Sequence, residues 1–237
     1  AAVHGLAHLL NLVLGGHRRT FDVSDDAVAG DVVVSGSAQL TKLVASLNAG
    51  KVETLVVIGA NPAYAAPTAL GFAAAAANAR TFIHAGLYVD ETAELAHWHL
   101  PLAHFLESWG DARAFDGTAS VVQPTIRPLF GARSAIELLA QMLGLADKPL
   151  DAIRATWDLA GPGHDLAWRT SLHDGIIPNT ARDLREAVRP DVAALAVAIG
   201  QWKSGGDGIE LVIRVDDTVL DGRHANLAWK QELPDPM

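Results

Sequence analysis

From Leu55 to Ile58 four apolar residues follow one another without a break, three of them β-branched, and the run stops at Gly59. Such a run predicts a strand buried on both faces, central in a parallel sheet. Asn61-Pro62 ends it, because Pro62 has no amide hydrogen to donate and pushes Asn61 out of the α region. The alanine-rich stretch Pro67–Arg80 predicts a helix, with Pro67 at its start. Thr81–Ala85 reads as a second strand beside the first and parallel to it, since the crossover is long enough. Asp90 is a candidate N-cap for the residues up to Ala96. His97–Pro101 reads as a third strand stopped by Pro101, with His97 and His99 alternating onto one face.

The rest of the chain is more helical. Ala1–Leu14 is apolar nearly all round and predicts a buried helix ended by Gly15-Gly16. Asp31–Val34 is a short strand candidate. Ser37–Asn48 reads as an amphipathic helix with Leu40, Leu43, Val44 and Leu47 on one face and Gly50 as its stop. Glu107–Phe130 lacks periodicity and reads as a long irregular segment with one strand candidate, Ala119–Gln123. Helices are expected over Ser134–Leu143, Leu150–Leu159, Asp165–His173 (core candidates Leu166, Trp168 and Leu172) and Asp191–Trp202. After a break at Gly205–Gly208, Ile209–Val215 predicts a strand, and Asp221–Met237 is a polar tail carrying Trp229. The pattern gives an α/β fold, an αβα sandwich with a mostly parallel sheet. Residues 1–204 form one domain, and 205–237 form a strand and tail leading toward a following domain.

Composition narrows the function. Half of the 237 residues are hydrophobic and 19% are charged, enough for a packed core and against disorder. Net charge is −9 with no Lys/Arg cluster, which disfavours nucleic acid as a partner. No apolar run reaches the roughly 18 residues of a membrane span. The first residues have no basic leader region, and the opening in mid-helix pattern suggests a piece of a longer protein. Cysteine is absent, so a thiolate-ligated iron–sulfur cluster or zinc site has no ligands in this segment.

Candidate chemistry is sparse. His4 and His8 have a helical metal spacing but lack the third ligand of a zincin pattern, and a packing or surface role is favoured. His97, His99 and His104 suggest a three-histidine metal site, against which structural hydrogen bonds are the preferred reading. Asp111 with Asp116 and His173 with Asp174 are acid–base pairs that read better as loop chemistry or caps. Strand, glycine turn and helix at Gly59–Pro62 have the form of an anion cradle, yet a lone glycine more often makes only a tight turn.

Several stretches together resemble the molybdopterin oxidoreductase family. Leu55-Val-Val-Ile-Gly-Ala-Asn-Pro62 is similar to its strand–Gly-x-Asn-Pro turn, and Asp90-Glu-Thr-Ala-Glu-Leu-Ala96 with His99-Leu-Pro101 to its acid-Thr-Ala … Leu-Pro segment. His97-Trp-His-Leu-Pro101, Glu107-Ser-Trp-Gly-Asp-Ala-Arg113, Trp168-Arg-Thr-Ser-Leu-His-Asp-Gly175 and Trp229-Lys-Gln-Glu-Leu-Pro-Asp-Pro236 look like the molybdopterin-oxidoreductase-like iron–sulfur subunit of alternative complex III. The resemblance runs from about Val3 to Pro236. It implies a fold like the body domains of formate dehydrogenase and DMSO reductase. It places Gly59, Ala60, Asn61 and Pro62 at the nucleotide end of a molybdopterin guanine dinucleotide, with Asp90, Glu91 and Thr92 as the second contact segment. His97-Trp98-His99 departs from the small apolar residues usual before Leu-Pro.

The resemblance implies a cofactor-free scaffold in a quinol-oxidising electron-transfer subunit whose iron–sulfur clusters lie elsewhere. It would be held at the periplasmic side of a membrane by the other subunits of a respiratory complex, without catalytic residues of its own. The rival readings are the dinucleotide-binding part of a catalytic molybdenum oxidoreductase and a stand-alone nucleotide-binding enzyme.

Overall fold

A computed structural model describes residues 2–24, 36–145, 148–201, 208–209, 211–212, 214–220 and 222–233. Helix α1 spans Ala2–Val13, β1 Val23–Ser24, and α2 Gly36–Asn48. Then come β2 (Thr54–Ile58), α3 (Pro62–Ala65), a 3-10 turn at Thr68–Leu70, α4 (Phe72–Ala76), β3 (Thr81–Gly86), α5 (Glu91–Leu95) and β4 (Trp98–Pro101). The second half holds β5 (Gly110–Arg113), β6 (Ala119–Val122), α6 (Ala135–Met142), α7 (Pro149–Thr156), α8 (Asp165–Asp174), β7 (Leu184–Arg185), α9 (Val192–Gly200) and α10 (Ala228–Glu232).

The fold is α/β around a parallel sheet of order β2-β3-β4. Thr54 pairs with Thr81 and Ile58 with Ala85, while Ile83 pairs with Trp98 and Gly86 with Pro101. One apolar cluster joins Leu55 and Phe82 of the sheet to Val44 and Leu47 of α2 and Phe72, Ala75 and Ala76 of α4. That burial explains α2, whose apolar residues recur at helical spacing and face the sheet. A second cluster joins Ala119 of β6, Ile153 of α7, Trp168 of α8, Leu159 and Ile177. The two halves meet where the Ala103 amide donates to the Arg133 carbonyl (2.8 Å) and the Arg133 amide to the Pro101 carbonyl (3.1 Å).

Several expectations are corrected. Thr81–Gly86, not Leu55–Ile58, is the central strand among the described residues, and Val56 is 36% exposed. The Pro67–Arg80 helix is broken: Gly71 sits at φ +66, a left-handed conformation that stops the 3-10 turn and opens α4. Within Glu107–Phe130 the polar residues Gly110–Arg113 pair antiparallel with Ala119–Val122. Helix α1 has no buried residue; it packs on α9, leaving Val3, Leu10 and Val13 exposed. Leu166 is exposed rather than core, whereas Trp168 is buried. Ile209, Leu211, Val212 and Val215 are exposed and lie outside any strand. The Asp31–Val34 strand, the 204/205 boundary, most of the glycine break, Trp202 and the final Pro-Asp-Pro-Met lie outside the described residues.

Candidate functional site

The carboxyl ends of β2, β3 and β4 open into a cleft of about 540 Å³. Its lining is His84 on β3 together with residues at and beyond the three strand ends: Gly59–Asn61, Gly86–Tyr88 with Asp90, and Leu102–Phe105. Ligands of open α/β sheets gather at this edge, because parallel strands all deliver their loops there.

Each wall has a local cause. Gly59 turns at φ +65 while its amide still donates to the Ala85 carbonyl (2.8 Å), so the turn stays tied to the sheet. Pro62 then starts α3. Asp90 caps α5, accepting from the amides of Thr92 (3.1 Å) and Ala93 (2.9 Å).

Asn61 forms no cap with its own helix. Its Nδ2 donates to Glu91 Oε2 (2.7 Å), and its Oδ1 accepts from Thr92 Oγ1 (2.7 Å). Thr92, fully enclosed, also accepts the Ala63 amide (3.0 Å). The structure thus brings Gly59, Ala60, Asn61 and Pro62 against Asp90, Glu91 and Thr92. Gly59, Ala60, Asn61 and Asp90 line the cleft, while Asn61 bonds to both Glu91 and Thr92. Donation from Asn61, then a backbone hydrogen bond, holds the Glu91 carboxyl below the usual glutamate range.

The histidines separate. The His97 amide donates to the Phe82 carbonyl (2.9 Å), and its Nδ1 accepts the Phe82 amide (2.8 Å), clasping β4 to β3 at its start. His104 lines the cleft, and its Nδ1 accepts the Leu106 amide (3.3 Å). His99 turns to a partner outside the predicted set, His84, with their Nδ1 atoms 3.0 Å apart. No group of three metal-ligating side chains gathers among the described residues. His8 Nε2 meets the Val188 carbonyl (3.0 Å). Asp111 accepts from Trp157 Nε1 (2.8 Å), and Asp116 accepts the Thr118 amide (2.9 Å), which holds its carboxyl below the usual range. His173 and Asp174 touch each other on the open surface.

His84 and Gly86 are among the cleft-lining residues outside the predicted set. The signal was present: if Ile83 pairs with Trp98, the parallel register sets His84 opposite His99. A Cβ on Gly86 would lie 2.6 Å from His84 Cε1, so glycine there makes room for the imidazole.

No family model matches the chain, and no curated protein matches it. Among solved structures, it is similar to acetylene hydratase from Pelobacter acetylenicus, at 19% identity and a TM-score of 0.43. That likeness covers 48% of this chain, which spans only 18% of the enzyme's length.

Proposed function

We propose that this chain is a cofactor-free interaction scaffold of an electron-transfer subunit, one that oxidises quinol in a complex of the alternative complex III kind. The order of the motifs around His97–Pro101, Glu107–Arg113, Trp168–Gly175 and Trp229–Pro236 motivates that assignment. The observation that carries the scaffold reading is the Asn61 amide, whose nitrogen donates to Glu91 and whose oxygen accepts from Thr92. The Asn61 amide that would read a cofactor is already engaged at both its nitrogen and its oxygen, so a ligand has to break those bonds before gaining its own.

A pterin dinucleotide does not fit the cleft well. Its pyrophosphate is anionic, whereas the lining residues include Asp90 and neither Lys nor Arg. Helix α3, with four residues, supplies little dipole. Exposed Tyr88, Trp98, Phe105 and Phe130 instead offer apolar area to neighbouring subunits. In this reading the other subunits of the complex hold the chain at the periplasmic face; no helix among the described residues is long and apolar enough to cross a membrane.

A second reading, the dinucleotide-binding part of a molybdenum oxidoreductase, is favoured by the cleft's place at the strand ends and by its apolar walls at Leu87, Leu102 and Phe105. Isothermal titration with GDP separates the two. The scaffold reading expects no dissociation constant tighter than roughly 1 μM, about −8 kcal/mol. Tighter binding replaces it with the second reading. Elemental analysis is expected to find neither iron nor molybdenum in stoichiometric amount.

A further inference from the structure

His84 sits on the central strand with 1% of its side chain exposed. Its Nε2 is 3.2 Å from the Ala60 carbonyl and 3.8 Å from Asp90 Oδ1. A carbonyl oxygen only accepts, so Nε2 carries a hydrogen. In a neutral His84 the Nδ1 is then an acceptor, and His99 Nδ1, 3.0 Å away, must donate to it. The rings stack across the β3–β4 register with centroids 5.1 Å apart.

This geometry fixes how many protons the pair can hold. The neutral pair has one hydrogen between the two Nδ1 atoms. One added proton is accommodated: if it sits on His99 Nε2, the same bond persists, and if it sits on His84, the direction of donation reverses. A second added proton places hydrogens on both Nδ1 atoms and positive charge on both rings. The contact then becomes repulsive and has to part.

The titratable groups facing His84 are His99 from β4 and Asp90 ahead of α5. His104, on the same cleft, is occupied by the Leu106 amide. His84 is enclosed and keeps both Ala60 and Asp90 as acceptors. His99 is half-buried on the outer strand of the described sheet and is the member free to leave.

We propose that His84 and His99 form a one-proton couple that latches β4, and that uptake of a second proton releases His99 and loosens the Leu102–Phe105 wall of the cleft. The latch makes the cleft's outer wall sensitive to acid, through a pair whose inner member, His84, lines the cleft.

The coupling has a measurable sign. The latched state holds one proton fewer than two free histidines, so acid should weaken the wild type more steeply than a chain that lacks the couple. His99→Asn removes the titrating partner, so its urea-unfolding profile should lack that slope, while the chain's other histidines contribute equally to both proteins. A slope difference under threefold per unit overturns the proposal. Nitrogen-detected NMR of the wild-type imidazoles decides independently, including the case in which His99→Asn does not fold. At pH 8 it should show hydrogen on His84 Nε2 and His99 Nδ1. On acidification the Leu102 amide, which donates to the Gly86 carbonyl (3.0 Å), should lose exchange protection as the second proton enters. Two doubly protonated rings with unchanged Leu102 protection refute the latch.

Discussion

At the scale of single residues, the Asn61 amide decides more than its own turn. It spans two segments thirty positions apart and sets the ionisation of Glu91. Because the carboxyl of Glu91 is held low in the fold, its contribution to stability is present above the usual glutamate value of 4.5 and fades as pH falls below it. Asn61→Ala should therefore move the Glu91 titration, followed by carboxyl NMR, back up toward that value; an unmoved midpoint would assign the shift to the backbone alone. Thr92 is the more sensitive member. Thr92→Val keeps the volume but strands the Ala63 amide and the Asn61 carbonyl oxygen. It should cost about 1–3 kcal/mol in urea denaturation, whereas a cost near zero would show that water replaces the hydroxyl at no penalty.

At the scale of elements, what was legible in the sequence is what local chemistry dictates. An apolar run bounded by Gly59, the Asp90 cap and the stop at Pro101 each act within a few residues, and β2, β3, α5 and β4 stand where those signals put them. The helix expected from Ser134 also stands in place, and the structure adds that Ser134 and Glu137 start it with a capping box of reciprocal bonds, 3.1 and 2.8 Å. What was not legible is set by distant partners. Nothing local distinguishes the central strand from its neighbour, since that depends on which chain lies beyond each edge. Gly110–Arg113 carries no alternation because its register is imposed by β6. Helix α1 has the composition of a core helix, yet among the described elements α9 is its main packing partner and none of its residues is buried. Of the site, the resemblance singled out the Asn61 and Asp90 segments, but not the hydrogen bonds that join them to each other. The His84–His99 pair needed the strand register, which emerges only once β4 is docked.

At the scale of the whole molecule, the two apolar clusters share no buried residue. Leu47→Ala, in the first, should cost about 3 kcal/mol, and Ile153→Val, in the second, about 1 kcal/mol. The double variant should show their sum within about 0.5 kcal/mol by chemical denaturation; a larger deviation would reveal coupling through the Pro101–Arg133 junction. The broken crossover has a consequence in time rather than in energy. Its pieces, of four, three and five residues, are each far shorter than the 12–15 residues at which an isolated helix begins to hold together. No part of the connection can form ahead of the strands, so the β2–β3 pair must nucleate by closing an unstructured loop. In stopped-flow experiments Val57→Ala should slow refolding, whereas Ala76→Gly in α4 should chiefly hasten unfolding. Equal slowing of refolding by both would mean that the crossover organises first and the strands arrive on a surface already made.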